Sequence, residues 1–289
     1  MSTVLEARPA LTVDTVSRFL RLSHTLFSLP LVLCGLWLGA GGWPSWRVLL
    51  LGVLAAVGAR TAAMAQNRIA DRAIDAKNPR TRERELPRGA MTLAQARAVA
   101  VAGVGLYALA AGLLGRLTLL LAPIPLLVFA GYPYLKRFTP LCHFGVGIAL
   151  GLAPLGAWLA VRQSFAGWLE ILPLGLFGVF WVSGFDVIYA TLDEDFDRKS
   201  GVHSLPAALG RRGALRVSAL LHLLAFATLV WLWRGHDWSR LPLLPLLAAG
   251  ILLDLEQRWS RHVDLAFFRI NIVIGFVVAA MVGTGVFLR

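Results

Sequence analysis

The chain has 289 residues, 57% of them hydrophobic, with 28 Gly, 10 Trp and a formal net charge of +12, and its mean hydropathy is +0.69. So apolar a composition excludes an ordinary soluble domain and indicates an integral membrane protein. In such a chain the basic excess reads as charged loops on one membrane face and not as a nucleic-acid surface, while Cys34 and Cys142, each inside an apolar run, read as helix-packing residues and not as a disulfide or redox pair.

Residues 1–20, with Arg8 and Arg18 among acidic neighbours, lack a cleavable signal pattern, so the first apolar segment is expected to be retained as a helix. Stretches near the ~20 residues that a bilayer core demands predict spans at 22–40, 47–66, 93–114, 117–135, 142–161, 168–190, 212–233, 240–255 and 267–288. This is an all-α, polytopic chain of nine transmembrane helices. Its Lys and Arg divide 22 to 6 between the two sides, the minority being Arg47, Arg116, Arg162, Arg234, Arg240 and Arg289. That bias predicts a multi-pass protein of the inner (plasma) membrane with its N-terminus and its charged loops in the cytoplasm.

Two stretches break the apolar pattern. In QNRIADRAIDAKNPRTRERELPRG, from Gln66 to Gly89, the residues Asn67, Asp71 and Asp75 are four apart. A helix advances about 100° per residue, so they stack on one face. In DVIYATLDEDFDRKSGVHSLPAALG, from Asp186 to Gly210, the residues Asp186, Tyr189, Asp193 and Asp197 are expected to form one stripe in the same way. Asp193 and Asp197 repeat the spacing of Asp71 and Asp75, and each pair precedes a basic loop with a Pro and a Gly, Pro87 and Gly89 in one, Pro206 and Gly210 in the other. A single domain over 1–289, built of two pseudo-repeated halves at about 1–140 and 141–289, would bring the pairs together around a central cavity.

Ionised carboxylates at membrane helix ends are costly and are kept mostly for function. Facing one another they repel unless a cation lies between them. Magnesium takes hard oxygen ligands, usually one or two carboxylates with water and phosphate oxygens completing its shell. Two such ions bridging a bound diphosphate would neutralise both pairs, and Arg72, Lys77, Arg82, Arg84, Arg198 and Lys199 stand ready to grip the remaining phosphate oxygens. A secondary transporter also carries intramembrane acids and half-repeats, but it would place the acids near the bilayer midplane and not at helix ends beside basic loops. A non-catalytic scaffold leaves the aligned polar positions without a role.

The NxxxDxxxD pattern at Asn67, Asp71 and Asp75, the YPYLKRFT run from Tyr132 to Thr139 and YATLDEDFD from Tyr189 to Asp197 resemble the signature segments of the UbiA-type intramembrane aromatic prenyltransferases. The likeness covers essentially the whole chain, with the motifs in the right order. It implies nine helices around a cavity, magnesium, and transfer of a polyprenyl group from polyprenyl diphosphate to an aromatic acceptor, typically 4-hydroxybenzoate, within membrane lipid and in respiratory quinone biosynthesis. Carried over by position, it assigns Asp71 and Asp75 to one magnesium and Asp193 and Asp197 to the other. It places Asn67 beside them, Lys136 and Arg137 on the diphosphate and Arg60 on the acceptor's carboxylate, with Asp186 and Tyr189 in support. Phe129, Tyr132, Phe138, Phe180, Trp181, Phe185 and Tyr189 are candidate walls for an allylic cation. Arg68, which follows Asn67, stands where many members acting on 4-hydroxybenzoate carry an acid. Here the wording is similar to the subgroup of the futalosine route to menaquinone, which makes an aminodeoxyfutalosine-type acceptor the alternative.

Overall fold

A computed structural model describes residues 12–21, 25–263 and 265–288. Residues 1–11, with Arg8 and much of the retained N-terminus expected from the sequence, and residues 22–24 at the start of the first expected span lie outside the described residues. The described chain is helical throughout: α1 (Val13–Leu20), α2 (Thr25–Ala40), α3 (Trp46–Asp75), α4 (Leu93–Leu114), α5 (Arg116–Leu121), α6 (Pro123–Gly131), a 3-10 turn (Tyr132–Arg137), α7 (Cys142–Arg162), α8 (Trp168–Ala190), α9 (Glu194–Ser200), α10 (Leu205–Gly235), α11 (Leu243–Arg258), a π-helical turn (Leu265–Ile270) and α12 (Asn271–Phe287). Among the described residues seven helical stretches are long and apolar enough to cross a bilayer. The shorter α2 and α11 bring the set into line with nine.

Three boundaries depart from the sequence reading, each for a local reason. The stretch at 117–135 is built from α5, α6 and the 3-10 turn, because Pro123, Pro125 and Pro133 each remove a backbone donor and restrict the residue before them. The second acidic segment is not one helix. The Thr191 hydroxyl donates to the Ile188 carbonyl (2.7 Å), and the amides of Leu192 and Asp193 bond the carbonyls three residues back. This tight turn ends α8 at Ala190, and α9 starts a new direction. Finally, α10 begins at Leu205, ahead of the expected 212, and breaks at Gly210, whose φ of 68° and ψ of 165° are open to glycine alone at little cost.

The helix α3 has 30 residues, about 45 Å at 1.5 Å per residue, against a hydrocarbon core of about 30 Å. Its last turns therefore outrun the apolar stretch and carry Asp71 and Asp75 to the basic rim. Behind the rim, α2, α7, α8, α10, α11 and α12 pack in succession, with α12 returning to α2. Their core includes Leu31, Trp158, Leu174, Phe177, Trp181, Leu229, Ile274 and Met281. Lipid tails give helices no hydrophobic reason to associate, so close approach at small residues carries the contact. A Cβ added at Gly151 of α7 would lie 2.7 Å from the Gly175 carbonyl oxygen of α8, and one at Gly58 of α3 would lie 2.5 Å from the Tyr107 amide of α4.

A buried polar network ties α8 to its neighbours. Trp181 Nε1 donates to Asn271 Oδ1 (2.6 Å) and Asn271 Nδ2 to Glu256 Oε1 (2.8 Å). Gln257 Nε2 lies 2.8 Å from both Ser218 Oγ and His222 Nδ1, and Ser218 donates to the Gly184 carbonyl (2.8 Å). These bonds fix the last turns of α8, which carry Asp186 and Tyr189.

Candidate active site

A polar cavity of about 200 Å³ opens at the basic rim, lined by the end of α3, the loop after it, the 3-10 turn, the start of α7, the end of α8 and the 191–204 segment. Asn67, Asp71 and Asp75 line it from one face of α3, as their spacing of four requires. From the other side come Asp186 and Tyr189 of α8, Asp193 of the turn and Asp197 of α9. The break after α8 does not scatter these four, because the turn folds α9 back over the cavity.

Each carboxylate has a distinct partner. Lys136 Nζ donates to Asp71 Oδ2 (2.8 Å). Arg84 Nη1 bonds both oxygens of Asp75 (2.7 and 2.8 Å). Asp193 accepts from Arg80 Nε (2.8 Å), from Arg80 Nη2 and from Asn78 Nδ2 (2.8 Å). Arg80 Nη1 also donates to the Tyr189 hydroxyl (2.6 Å) while its guanidinium lies over the Tyr189 ring at 4.8 Å. Asn78 and Arg80 thus tie the first acidic segment to the second. The loop holds this posture because Asn78 Oδ1 accepts from the Arg80 amide (3.0 Å) and Thr81 Oγ1 donates to the Asp75 carbonyl (3.1 Å).

Two carboxyls outside the spans differ in electrostatics. Burial alone would raise Asp193, but its bonds from Arg80 and Asn78 outweigh that and hold it below the usual carboxylate range. Asp197 is pushed up to about 6, first by burial and then by the neighbouring Asp193 charge, against the opposing hydrogen bond from Ser204.

Other expected residues lie elsewhere. Arg72 is exposed, since one residue past Asp71 the helix has turned about 100° away from the cavity. Arg198 and Lys199 are exposed on α9, and Arg198 pairs with Glu194 one turn back (2.8 Å); neither lines the cavity. Lys77 and Arg82 are exposed as well. Arg137 lies outside the lining, donating to the Ala70 carbonyl of α3 (2.7 Å) and stacking on Tyr134 at 4.6 Å. Arg60 is also outside it; its Nη2 donates to the Arg21 carbonyl (3.2 Å), and its charge is felt by Tyr132, whose hydroxyl bonds Asn67. Of the candidate aromatic walls, Tyr132 and Tyr189 line the cavity. Trp181 and Phe185 belong to the helix core, and Phe138 is exposed. Cys142, read as a packing residue, is free and lines the cavity beside His143 and His203.

Arg80, Asn78, His143, His203 and Ser204 line the cavity without having been singled out in the sequence. Arg80 had one available signal: Asn-Pro before it marks a turn start, which would fold the loop back toward the helix it leaves.

The donor set suits a hard divalent cation. Among the described residues no three His, Cys, Asp or Glu side chains form a ready cage, yet magnesium asks the protein for only one or two carboxylates per ion. Asp71 meets that demand: it lines the cavity, and its Oδ1 is buried with no hydrogen-bond partner.

A sequence profile of the UbiA prenyltransferase family matches residues 28–273. The chain is 32% identical over 276 residues to a 4-hydroxybenzoate octaprenyltransferase of Vibrio vulnificus (strain CMCP6), covering 91% of this chain and 94% of that protein. The fold is similar to the apo structure of a UbiA homolog from Aeropyrum pernix K1, with a TM-score of 0.81 and 33% identity over 92% of this chain and 97% of that one. It is also similar to a UbiA homolog from Archaeoglobus fulgidus bound to DMAPP and Mg2+, with a TM-score of 0.67 and 18% identity over 92% and 99%. The match runs through both acidic segments and nearly every span, and the chain belongs to the UbiA prenyltransferase family.

Proposed function

We propose that this membrane prenyltransferase moves a polyprenyl group from polyprenyl diphosphate onto the ring of 4-hydroxybenzoate, in the making of a respiratory quinone. The observation that carries the reading is the convergence of Asp71, Asp75, Asp193 and Asp197, with Lys136, Arg80 and Arg84, on one cavity at the end of the apolar helices. Four carboxylates with three interleaved cations suit a diphosphate and the metal that accompanies it, whereas a carrier of neutral solutes has no use for them. The name of the Vibrio relative supports the acceptor, and the ligands of the Archaeoglobus homolog support the donor and the metal.

Asp71 and Asp75 on one side and Asp193 and Asp197 on the other would hold two magnesium ions, which supply positive charge against the diphosphate as the allylic C–O bond breaks. Lys136, Arg80 and Arg84 exchange their carboxylate partners in part for phosphate oxygens, where negative charge grows most in the transition state. The faces of Tyr132 and Tyr189 stand beside the forming cation, at about 0.5–2 kcal/mol each. Asn67 holds the Tyr132 hydroxyl. Arg60, two helical turns deeper on α3, is the proposed partner of the acceptor's carboxylate, a planar fork for a planar anion. Arg137 steadies the end of α3 through Ala70. The cavity mouth sits with the basic loops, which we place in the cytoplasm and the helices in the inner membrane.

Purified protein offered one long-chain prenyl diphosphate with magnesium and a panel of acceptors tests this reading. Prenylated 4-hydroxybenzoate is expected. Product only with an aminodeoxyfutalosine-type compound would replace the acceptor and agree with Arg68 after Asn67. Product only with a phenol lacking a carboxylate would remove the role given to Arg60.

A further inference from the structure

We propose that Asp186 is the base that takes the ring proton of the aromatic acceptor, and that His143 positions it for this step. The inference rests on the function proposed above. Ring alkylation needs a proton acceptor beside the ring, and a carboxylate whose charge is still available after the diphosphate is bound can serve. Asp71, Asp75 and Asp193 are each bonded to a cationic side chain, and Asp197 faces the same phosphate-binding end. Asp186 differs. Its Oδ2 lies 2.7 Å from His143 Nδ1, which is its only side-chain hydrogen bond among the described residues. Its side chain is 26% exposed, against 4% for Asp71, so it keeps an open face toward the cavity.

The start of α10 fixes how His143 is held. Leu205 is the first residue of α10, so its amide has no partner within the helix. That amide donates to His143 Nε2 (3.3 Å), while Ser204 Oγ takes the Ala207 amide (3.3 Å). With its Nε2 taken up by that amide, the buried imidazole donates through Nδ1, and it does so to Asp186. Asp186 therefore receives one orienting hydrogen bond from a ring held at both nitrogens, where Asp71, Asp75 and Asp193 each face an ammonium or a guanidinium. The other titratable groups around the pair have their own partners: Lys136 is bonded to Asp71 and Tyr132 to Asn67, Cys142, which also bonds His143, donates to the His203 carbonyl (3.5 Å), and Asp197, which is bonded by Ser204, acts on His143 through space.

The step balances. The allylic C–O bond breaks and diphosphate leaves with the electron pair, a bond forms between the allylic carbon and a ring carbon, and the proton on that ring carbon passes to Asp186 Oδ1, restoring aromaticity. The carboxylic acid then gives its proton to solvent at the cavity mouth. The orienting bond survives Asp186→Asn, whose carbonyl still accepts from His143, but the basicity does not.

The test uses purified full-length protein, a long-chain prenyl diphosphate, magnesium and 4-hydroxybenzoate, plain or deuterated at the ring positions beside the hydroxyl. D186N is expected to lower kcat about 100-fold or more, to leave the KM for prenyl diphosphate unchanged, and to show a primary isotope effect absent from wild type. His143→Leu should move the acidic limb of the kcat/KM profile to higher pH, because the carboxylate loses a donor. His143→Asn, whose amide nitrogen takes the place of Nδ1, should restore the limb. D186N with wild-type kcat, or a limb unmoved in H143L, would overturn the proposal and leave the function standing. Wild type that prenylates no aromatic acceptor would overturn both.

Discussion

Removal of the Arg80 guanidinium is the most informative single change at the cavity, because that group, with Asn78, ties the first acidic segment to the second and brings the charge to that link. Arg80→Ala deletes the bond from Nε to Asp193 (2.8 Å), its parallel partner from Nη2, and the bond from Nη1 to the Tyr189 hydroxyl (2.6 Å). Hydrogen bonds involving a charged group are worth about 1.5–3 kcal/mol each. The Arg80 side chain is 29% exposed, so water replaces part of that, and a net loss of about 2–3 kcal/mol is left in transition-state stabilisation. This corresponds to roughly 30- to 150-fold in kcat/KM. Arg80→Lys keeps the charge but not the fork, and should recover about half of the loss in free energy. Steady-state transfer to labelled acceptor, measured at varied prenyl diphosphate, would place the defect on the diphosphate substrate and leave the acceptor's KM near wild type. Activity of R80A within about threefold of wild type would refute the claim that Arg80 completes the site.

Three further outcomes follow from the geometry. Gly151→Leu should drive α7 from α8 and lower the Tm in detergent by several degrees, since a Cβ there already lies 2.6 Å from Val179 Cγ2 and 2.7 Å from the Gly175 oxygen; Gly156→Ala on the same helix, where nothing lies within 4 Å, should leave it unchanged. Asp197 has its carboxyl raised to about 6 from the ordinary 3.8, so the folded protein holds that proton more tightly than the unfolded chain; stability without metal is greatest below the lower value and is lost as pH rises through the higher one. Asp197→Asn should therefore raise the metal-free Tm above pH 6, leave it unchanged near pH 3.5, and abolish transfer; an equal rise at both pH values would contradict this. Single cysteines in the loops at 76–92 and 198–211 should label from the cytoplasmic face and one at 236 from the outer face, and the reverse pattern would overturn the proposed topology.

Much of the architecture can be read from hydropathy, because membrane-spanning backbone must satisfy its hydrogen bonds within the helix. Asp71 and Asp75 were legible for the same reason: a spacing of four on a regular helix has one geometric meaning. Where the helix stops, that meaning is lost. The spacing of Asp193 and Asp197 predicts a continuation of α8, which the structure does not have, since nothing in YATLDEDFD announces that Thr191 turns its hydroxyl back and ends the helix. Among the many basic residues of the first loop, Arg80 and Arg84 face the cavity while Arg72, Lys77 and Arg82 face solvent. Composition cannot sort them, because the sorting is done by the turn at Asn78. His143 was invisible for a different reason. A lone histidine in an apolar run reads as core until the residue it touches, 43 positions away, is known.

Two acidic segments far apart in sequence act, in the proposed function, as one metal-dependent diphosphate site. The decisive measurement is prenyl transfer in the four single variants Asp71→Ala, Asp75→Ala, Asp193→Ala and Asp197→Ala beside wild type, with magnesium and with excess chelator. Each variant should insert and purify normally and yet show no transfer, and wild type should lose transfer in chelator and regain it when magnesium is restored. Full activity in two of the four variants, or undiminished transfer in chelator, would rule out a shared metal-diphosphate site.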